Sequence, residues 1–168
     1  YWFLYAYNDW SAHGGYNDHE GDWEMINVFL DERDRPQQVA YSRHVKIPRL
    51  YEPTTAPWSE VERIEGSHPV VYVGCGSHAN YLEKGRHRIL WRTDYADGND
   101  IAIGPGTDQP WGRPIRLDNK LWNLRFSGRW GSLVRSWLGM VLYGTKGPTG
   151  PAQKGDKWHH PAKWAGLI

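Results

Sequence analysis

The sequence predicts an all-β fold, in which residues 1–168 form a single β-sandwich domain with long loops and room for one short helix. Two observations support this class. Several segments alternate apolar and polar residues with the two-residue period of a strand. The 19 glycines and 11 prolines suit short strands joined by turns better than a helical bundle. A chain of 168 residues is long enough for one hydrophobic core, and no repeat or long linker divides it.

The first strands follow from alternation near the start of the chain. Tyr1–Tyr7 is predicted to be an aromatic strand with large side chains on both faces. Asn8–Asp18 is polar and contains a Gly-Gly pair, which predicts a turn. Trp23–Leu30 has the clearest strand pattern, and Val39–His44 gives a third strand.

The middle of the chain is predicted to alternate loops with short strands. Ile47–Trp58 holds three prolines in twelve residues, which indicates a surface loop. Val70–Gly74 is mainly apolar and is expected to be a buried strand that ends in a glycine-rich bulge. His87–Arg92 alternates again, and the region from Asp94 to Trp111 is rich in loop-forming residues.

The C-terminal part has weaker signals. Pro114–Leu117 and Phe126–Val134 are each candidates for a strand, whereas Asn119–Leu142 is the stretch in which a short helix would lie. The tail from Gly144 has too little apolar content to form core, so we expect it to wrap the surface.

Composition excludes several classes of function. Twenty Lys+Arg against nineteen Asp+Glu give a net charge of +1, which favours neither nucleic acid nor an acidic membrane surface as a partner. The single cysteine, Cys75, excludes an internal disulfide and a thiolate zinc site. No stretch approaches the roughly 18–20 apolar residues of a transmembrane helix, so no transmembrane segment is predicted.

The start of the sequence lacks an initiator Met and a signal-peptide pattern, and it begins within an apparent strand. We therefore expect the natural N-terminus to be missing. The composition is compatible with secretion but sets neither the localisation nor the oligomeric state.

The chemistry is concentrated in one acidic segment with a histidine, residues 17–24. If Trp23 opens a strand, Asp22 and Glu24 project from the same face, about 6–7 Å apart. Two carboxylates so placed repel each other unless a cation or a shared proton lies between them. Gly21 would let the chain fold the His19 imidazole back toward Asp22. His19, Asp22 and Glu24 are therefore predicted metal ligands.

Two more histidines are candidate ligands because each follows a short strand. His44 closes the segment VAYSRH, and His78 lies in GSHAN just after VVYVG. A mixture of carboxylates and histidines binds a divalent cation, and the oxygen-rich set favours Ca²⁺, Mg²⁺ or Mn²⁺. Zinc becomes an option only if two histidines take part.

Two functions are consistent with such a site. In the first, the cation holds a small polar ligand, a glycan or lipid head group, with Trp10, Tyr16 or Trp58 stacking on a sugar. In the second, the chain is a metal-dependent hydrolase or lyase with Glu20 or His78 as general base. A purely structural site that fastens the strands is the third interpretation. The sequence does not decide whether the chain is an enzyme.

Five segments together resemble one protein family. They occur in the order YWFLYAYN, HEGDWE, VAYSRH, HPVVYVGCGSHANYL and GPTGP, and they extend over nearly the whole chain. In these the chain is similar to the family named after fungal vacuolar protein sorting protein sixty-two, for which HEGDWE and GSHANY are the specific parts. This resemblance implies no particular biochemical activity.

The HEGDWE segment also resembles a motif of the necrosis- and ethylene-inducing peptide-like cytolysins, in which a histidine is followed three residues later by Asp-Trp-Glu. That resemblance implies a β-sandwich in which His19, Asp22 and Glu24 help to hold a divalent cation that engages a sphingolipid head group. The chain departs from the motif at Gly21, where the cytolysins have a second histidine.

Overall fold

The computed structural model describes residues 1–10, 17–43, 54–89, 92–96, 98, 101–118, 120–121, 124, 126–138 and 141–168. In this part of the chain antiparallel strands predominate, and the predicted all-β class is confirmed. No helix in these ranges is long and apolar enough to cross a membrane.

The largest sheet has four antiparallel strands in sequential order. They are β1 (Trp2–Asn8), β2 (His19–Leu30), β3 (Pro36–Tyr41) and β4 (Thr54–Pro57). Both faces of the central strands are covered, because consecutive residues of β2 and β3 are buried instead of alternating with exposed ones. Polar side chains on β2 are therefore held inside the protein.

The main core lies against β2, β3 and β4. Its buried members are Ile26, Val39, Tyr41, Ala56 and Val61. β-Branched and aromatic residues pack well on a pleated surface, and this explains why the VAY segment forms a central strand. The strand predicted at Val39–His44 thus overlaps the observed strand β3 at Val39–Tyr41.

In the described residues, the other strands form four two-stranded antiparallel sheets. They pair β5 (Arg63–Ile64) with β6 (His68–Pro69), β7 (Tyr72–Val73) with β8 (Asn80–Tyr81), β9 (Gly85–Ile89) with β10 (Arg92–Ala96), and β11 (Leu133–Leu138) with β12 (Val141–Lys146). The turn between β7 and β8 carries the GSHA segment.

The middle of the chain differs from the sequence prediction in two places. Only Tyr72–Val73 of the predicted buried strand Val70–Gly74 forms a strand, and Val73 is exposed, because the segment pairs locally in a hairpin. Thr54–Pro57, predicted to be loop, pairs with β3. Its proline stands at the end of the strand, where a missing N–H is tolerated.

The C-terminal part differs as well. Pro114–Leu117 forms no strand, and the strand predicted at Phe126–Val134 begins only at Leu133. The tail forms two short helices, α1 (Asp156–His159) and α2 (Pro161–Trp164). Both lie outside Asn119–Leu142, the stretch in which the sequence predicts a helix; within that stretch Leu124 is helical, and residues 122, 123 and 125 lie outside the described residues. The Trp158 ring lies 6.2 Å from that of Trp2, so aromatic packing holds the tail against β1.

Candidate functional site

The pairing of β1 with β2 places each of two carboxylates opposite an aromatic residue. Tyr5 lies opposite Asp22, and Phe3 lies opposite Glu24. Both carboxylates are almost completely buried, with Asp22 3% and Glu24 2% exposed. Because burial disfavours a charged carboxylate, each needs compensating partners.

Gly21 sets the local geometry of the strand. Its φ is +67°, in the left-handed region that favours glycine, and its Cα faces the backbone carbonyl of Trp130 with no space for a Cβ. Burial does not alternate here: Glu20 is exposed, whereas Gly21 and Asp22 are both buried. The backbone N–H of Ser132 donates to Glu20 Oε2 at 2.7 Å, and this bond holds the pKa of Glu20 below its usual value.

Asp22 accepts hydrogen bonds from two side chains on other parts of the chain. Asn8 Nδ2 donates to Asp22 Oδ2 at 3.0 Å and also to the Ser77 carbonyl at 3.1 Å. His78 Nδ1 lies 3.2 Å from the same Oδ2. An ionised carboxylate only accepts, so this nitrogen of His78 carries the proton and Nε2 carries the lone pair when the imidazole is neutral.

His78 is held by stacking as well as by its hydrogen bond. The Tyr5 ring is stacked on its imidazole, with centroids 4.0 Å apart and planes 3° from parallel. The φ of His78 is +56°, an unusual conformation for a residue with a side chain. Burial, and then the charges of Glu24 and Asp22, raise the pKa of Tyr5 to about 12, so its hydroxyl stays protonated near neutral pH.

Glu24 is held by a neighbouring strand end. Ser42 Oγ donates to Glu24 Oε2 and accepts from the backbone N–H of Met25 at 3.1 Å. Asn80 Nδ2 donates to the Met25 carbonyl at 3.0 Å. The HEGDWE and GSHANY segments therefore meet at Asp22 through His78 and at Met25 through Asn80.

His19 contacts the backbone just before Asp22. The sequence predicts that its ring folds back toward Asp22, and its Nδ1 lies 2.7 Å from the carbonyl of Gly21, the preceding residue. That carbonyl only accepts, so Nδ1 donates, and in the neutral imidazole Nε2 carries the lone pair. His19 is buried, with 8% of its surface exposed.

Of the predicted site residues, the structure brings Asp22 and His78 into direct contact, with Glu24 two residues along the same strand. His44 lies outside the described residues, as does Tyr16. Trp58 packs against the main core, with the Arg63 guanidinium over its ring. Within the described ranges there is no group of three or more His, Cys, Asp or Glu side chains arranged to hold a metal ion.

A lysine from the tail lies near the two carboxylates. Burial, and then the charge of Lys157, lower the pKa of Lys154, while Glu24 and Asp22 act in the opposite direction. The side chain of Lys154 therefore interacts electrostatically with Asp22 and Glu24. Nothing in the sequence of the tail marks Lys154 as part of a site.

Three buried side-chain oxygens in and around the site lack a donor among the described residues. Asn8 is completely buried, and its Oδ1 has no hydrogen-bond partner although its Nδ2 has two. The others are Asp18 Oδ1, one residue before His19, and Asn80 Oδ1. A buried acceptor without a donor is unfavourable, and amide and carboxylate oxygens are the ligands that Ca²⁺ and Mg²⁺ prefer. Each of these oxygens is thus of the type that an oxygen-preferring cation binds.

Comparison of the chain with protein-family models, with curated proteins and with solved structures finds no match.

Proposed function

We propose that this chain is a divalent-cation-dependent binding module for a small polar ligand, a glycan or lipid head group, with its site around Asp22. The observation that carries the proposal is the pairing of the buried Asp22 carboxylate with Asn8, whose Oδ1 is buried without a donor. A cation near Asp22 would be a partner for that oxygen and would offset the charge of the carboxylate.

Two histidines are suited to support such a cation. In both His19 and His78, Nδ1 is engaged by an oxygen, so the lone pair is on Nε2. Metal-ligating histidines commonly have this arrangement, in which the other ring nitrogen donates to a carboxylate or a carbonyl. Glu24 would add negative charge to the site. The excess of oxygen over nitrogen donors favours Ca²⁺, Mg²⁺ or Mn²⁺ over Zn²⁺.

The nature of the ligand follows from what such a cation binds. Hard cations hold hydroxyl and phosphate oxygens of a ligand while protein oxygens fill the other positions. Lys154 interacts electrostatically with Asp22 and Glu24, and its amine would suit a ligand with an anionic group. The resemblance of His19, Asp22 and Glu24 to the cation motif of the necrosis-inducing cytolysins supports a lipid head group.

Calorimetric titration of the protein with MgCl₂, CaCl₂, MnCl₂ and ZnCl₂ tests the proposal. We expect one binding site in the wild type and a loss of affinity of at least about tenfold in Asp22→Asn and in Asn8→Ala. Asp31→Asn is the matched control, because Asp31 accepts several hydrogen bonds in the turn between β2 and β3. It should bind as the wild type does. Absence of binding, or equal binding by Asp22→Asn, would overturn the proposal.

A hydrolase or lyase is the second candidate, and the Asp22–His78 hydrogen bond is the observation that favours it. A carboxylate that holds one imidazole nitrogen leaves the other placed to take a proton from water or substrate. Glu20, the other proposed base, is exposed and accepts the Ser132 N–H. If the chain is an enzyme, His78→Gln should lose turnover while Glu20→Gln keeps it. Activity that depends on Glu20 alone would contradict this assignment.

A further inference from the structure

Asp94 is a completely buried carboxylate next to the candidate site. It lies in β10 and is 0% exposed. Its Oδ2 accepts from Ser77 Oγ at 2.5 Å and from the Tyr81 hydroxyl at 2.7 Å, and its Oδ1 accepts from the backbone N–H of Tyr95 at 3.0 Å. A buried carboxylate with three donors holds its neighbours firmly, because hydrogen bonds to a charged group are stronger than those between neutral groups.

The segment fixed by this carboxylate is the turn between β7 and β8. Within it, the Gly74 N–H donates to the Ala79 carbonyl at 2.8 Å and the His78 N–H donates to the Gly74 carbonyl at 2.9 Å. A positive φ at a non-glycine residue costs energy and persists only when the surroundings enforce it. His78, with its φ of +56°, therefore requires a turn that is held firmly.

Ser77 connects the carboxylate of Asp94 to the site. Its Oγ donates to Asp94, and its carbonyl accepts from Asn8 Nδ2 at 3.1 Å. The next residue along the chain is His78, whose imidazole contacts Asp22. A displacement of Ser77 would therefore move two side chains that contact the Asp22 carboxylate, those of Asn8 and His78.

We propose that Asp94 is a positioning residue of the Asp22 site: through Ser77 it fixes the turn that orients Asn8 and His78. The effect of Asp94 on cation affinity rests on the proposed function. The effect of Asp94 on the positions of Asn8 and His78 does not depend on that function.

The test compares two substitutions that each remove one hydroxyl donor from the same Asp94 oxygen. Ser77→Ala breaks the connection to the site, whereas Tyr81→Phe keeps Ser77 in place. We expect Ser77→Ala and Asp94→Asn each to weaken Mg²⁺ binding about tenfold, and Tyr81→Phe to change it less than about twofold. In the Ser77→Ala background, Asp94→Asn should add less than about twofold, because the connection is already broken.

A second measurement keeps this inference separate from the proposed function. In metal-free protein, NMR spectra record the side-chain amide of Asn8 and the ring nitrogens of His78. Both sets of signals should shift in Ser77→Ala and stay in place in Tyr81→Phe. If the wild type binds no cation but these shifts occur, the proposed function fails and the positioning role stands. Unshifted Asn8 and His78 signals in Ser77→Ala would overturn the positioning role.

Discussion

His78 Nδ1 lies 3.2 Å from Asp22 Oδ2, although the two residues are 56 positions apart in the chain. The contact joins the turn between β7 and β8 to the second strand of the main sheet. It places a titratable ring beside a buried carboxylate. The His78–Asp22 contact therefore contributes both to the stability of the fold and to the chemistry of the site.

We expect His78→Ala to lower the free energy of unfolding by about 1–3 kcal/mol, because it removes a hydrogen-bond partner from a buried carboxylate. Urea denaturation measures the change. His68→Ala is the control: its imidazole is more exposed and lies 3.8 Å from Glu65, so the loss should stay within about 0.5 kcal/mol. Equal losses in the two variants would show that the contact with Asp22 contributes nothing.

We expect Gly21→Ala to destabilise the protein by about 2–5 kcal/mol, since a left-handed φ and a clash with a backbone atom add together. The clash is with the Trp130 carbonyl. Gly66→Ala is the matched control, because Gly66 has a φ of +73° and open space where a Cβ would lie. It should lose only about 1–2 kcal/mol. A Gly21→Ala variant no less stable than Gly66→Ala would mean that Gly21 does not pack against Trp130.

We expect stability to fall with rising pH in the alkaline range, partly because of Tyr41. Burial raises its pKa to about 12 from the ordinary value of 10.0. As the pH rises, the unfolded chain loses this proton before the folded protein does. The contribution of Tyr41 to the free energy of unfolding is therefore fully present below pH 10 and is lost as the pH rises toward 12. Urea denaturation across this range should show a shallower decline in Tyr41→Phe, by on the order of 2 kcal/mol. Parallel curves for the two proteins would contradict the assignment.

Local patterns were sufficient to predict the early strands. The aromatic alternation of Tyr1–Tyr7 corresponds to β1. The apolar face of Trp23–Leu30 lies in β2, but this strand begins four residues earlier, at His19, so the segment predicted to precede the strand is part of it. The short middle segments were harder to predict. Val70–Gly74 has the composition of a buried strand, but composition alone does not show that the chain turns back at once to pair Tyr72–Val73 with Asn80–Tyr81.

The site was predictable only where its residues are neighbours in sequence. Asp22 and Glu24 are two apart, so strand geometry alone places them together. Asn8 reaches Asp22 across 14 positions and Ser77 across 69. Such contacts depend on strand pairing and on a turn, neither of which leaves a local pattern. The sequence places Asp94 in a loop-rich stretch, yet this residue lies in strand β10 and is completely buried.

NMR spectroscopy of the histidine rings during a titration with Mn²⁺ tests the central claim most directly. Paramagnetic Mn²⁺ broadens the signals of the nuclei nearest to it. A cation at Asp22 should therefore broaden the ring signals of His78 and His19 before those of His68, at less than one equivalent. Excess Mg²⁺ should restore them, and Asp22→Asn should abolish the effect. Broadening of His68 first, or of no histidine, would contradict a cation site at Asp22.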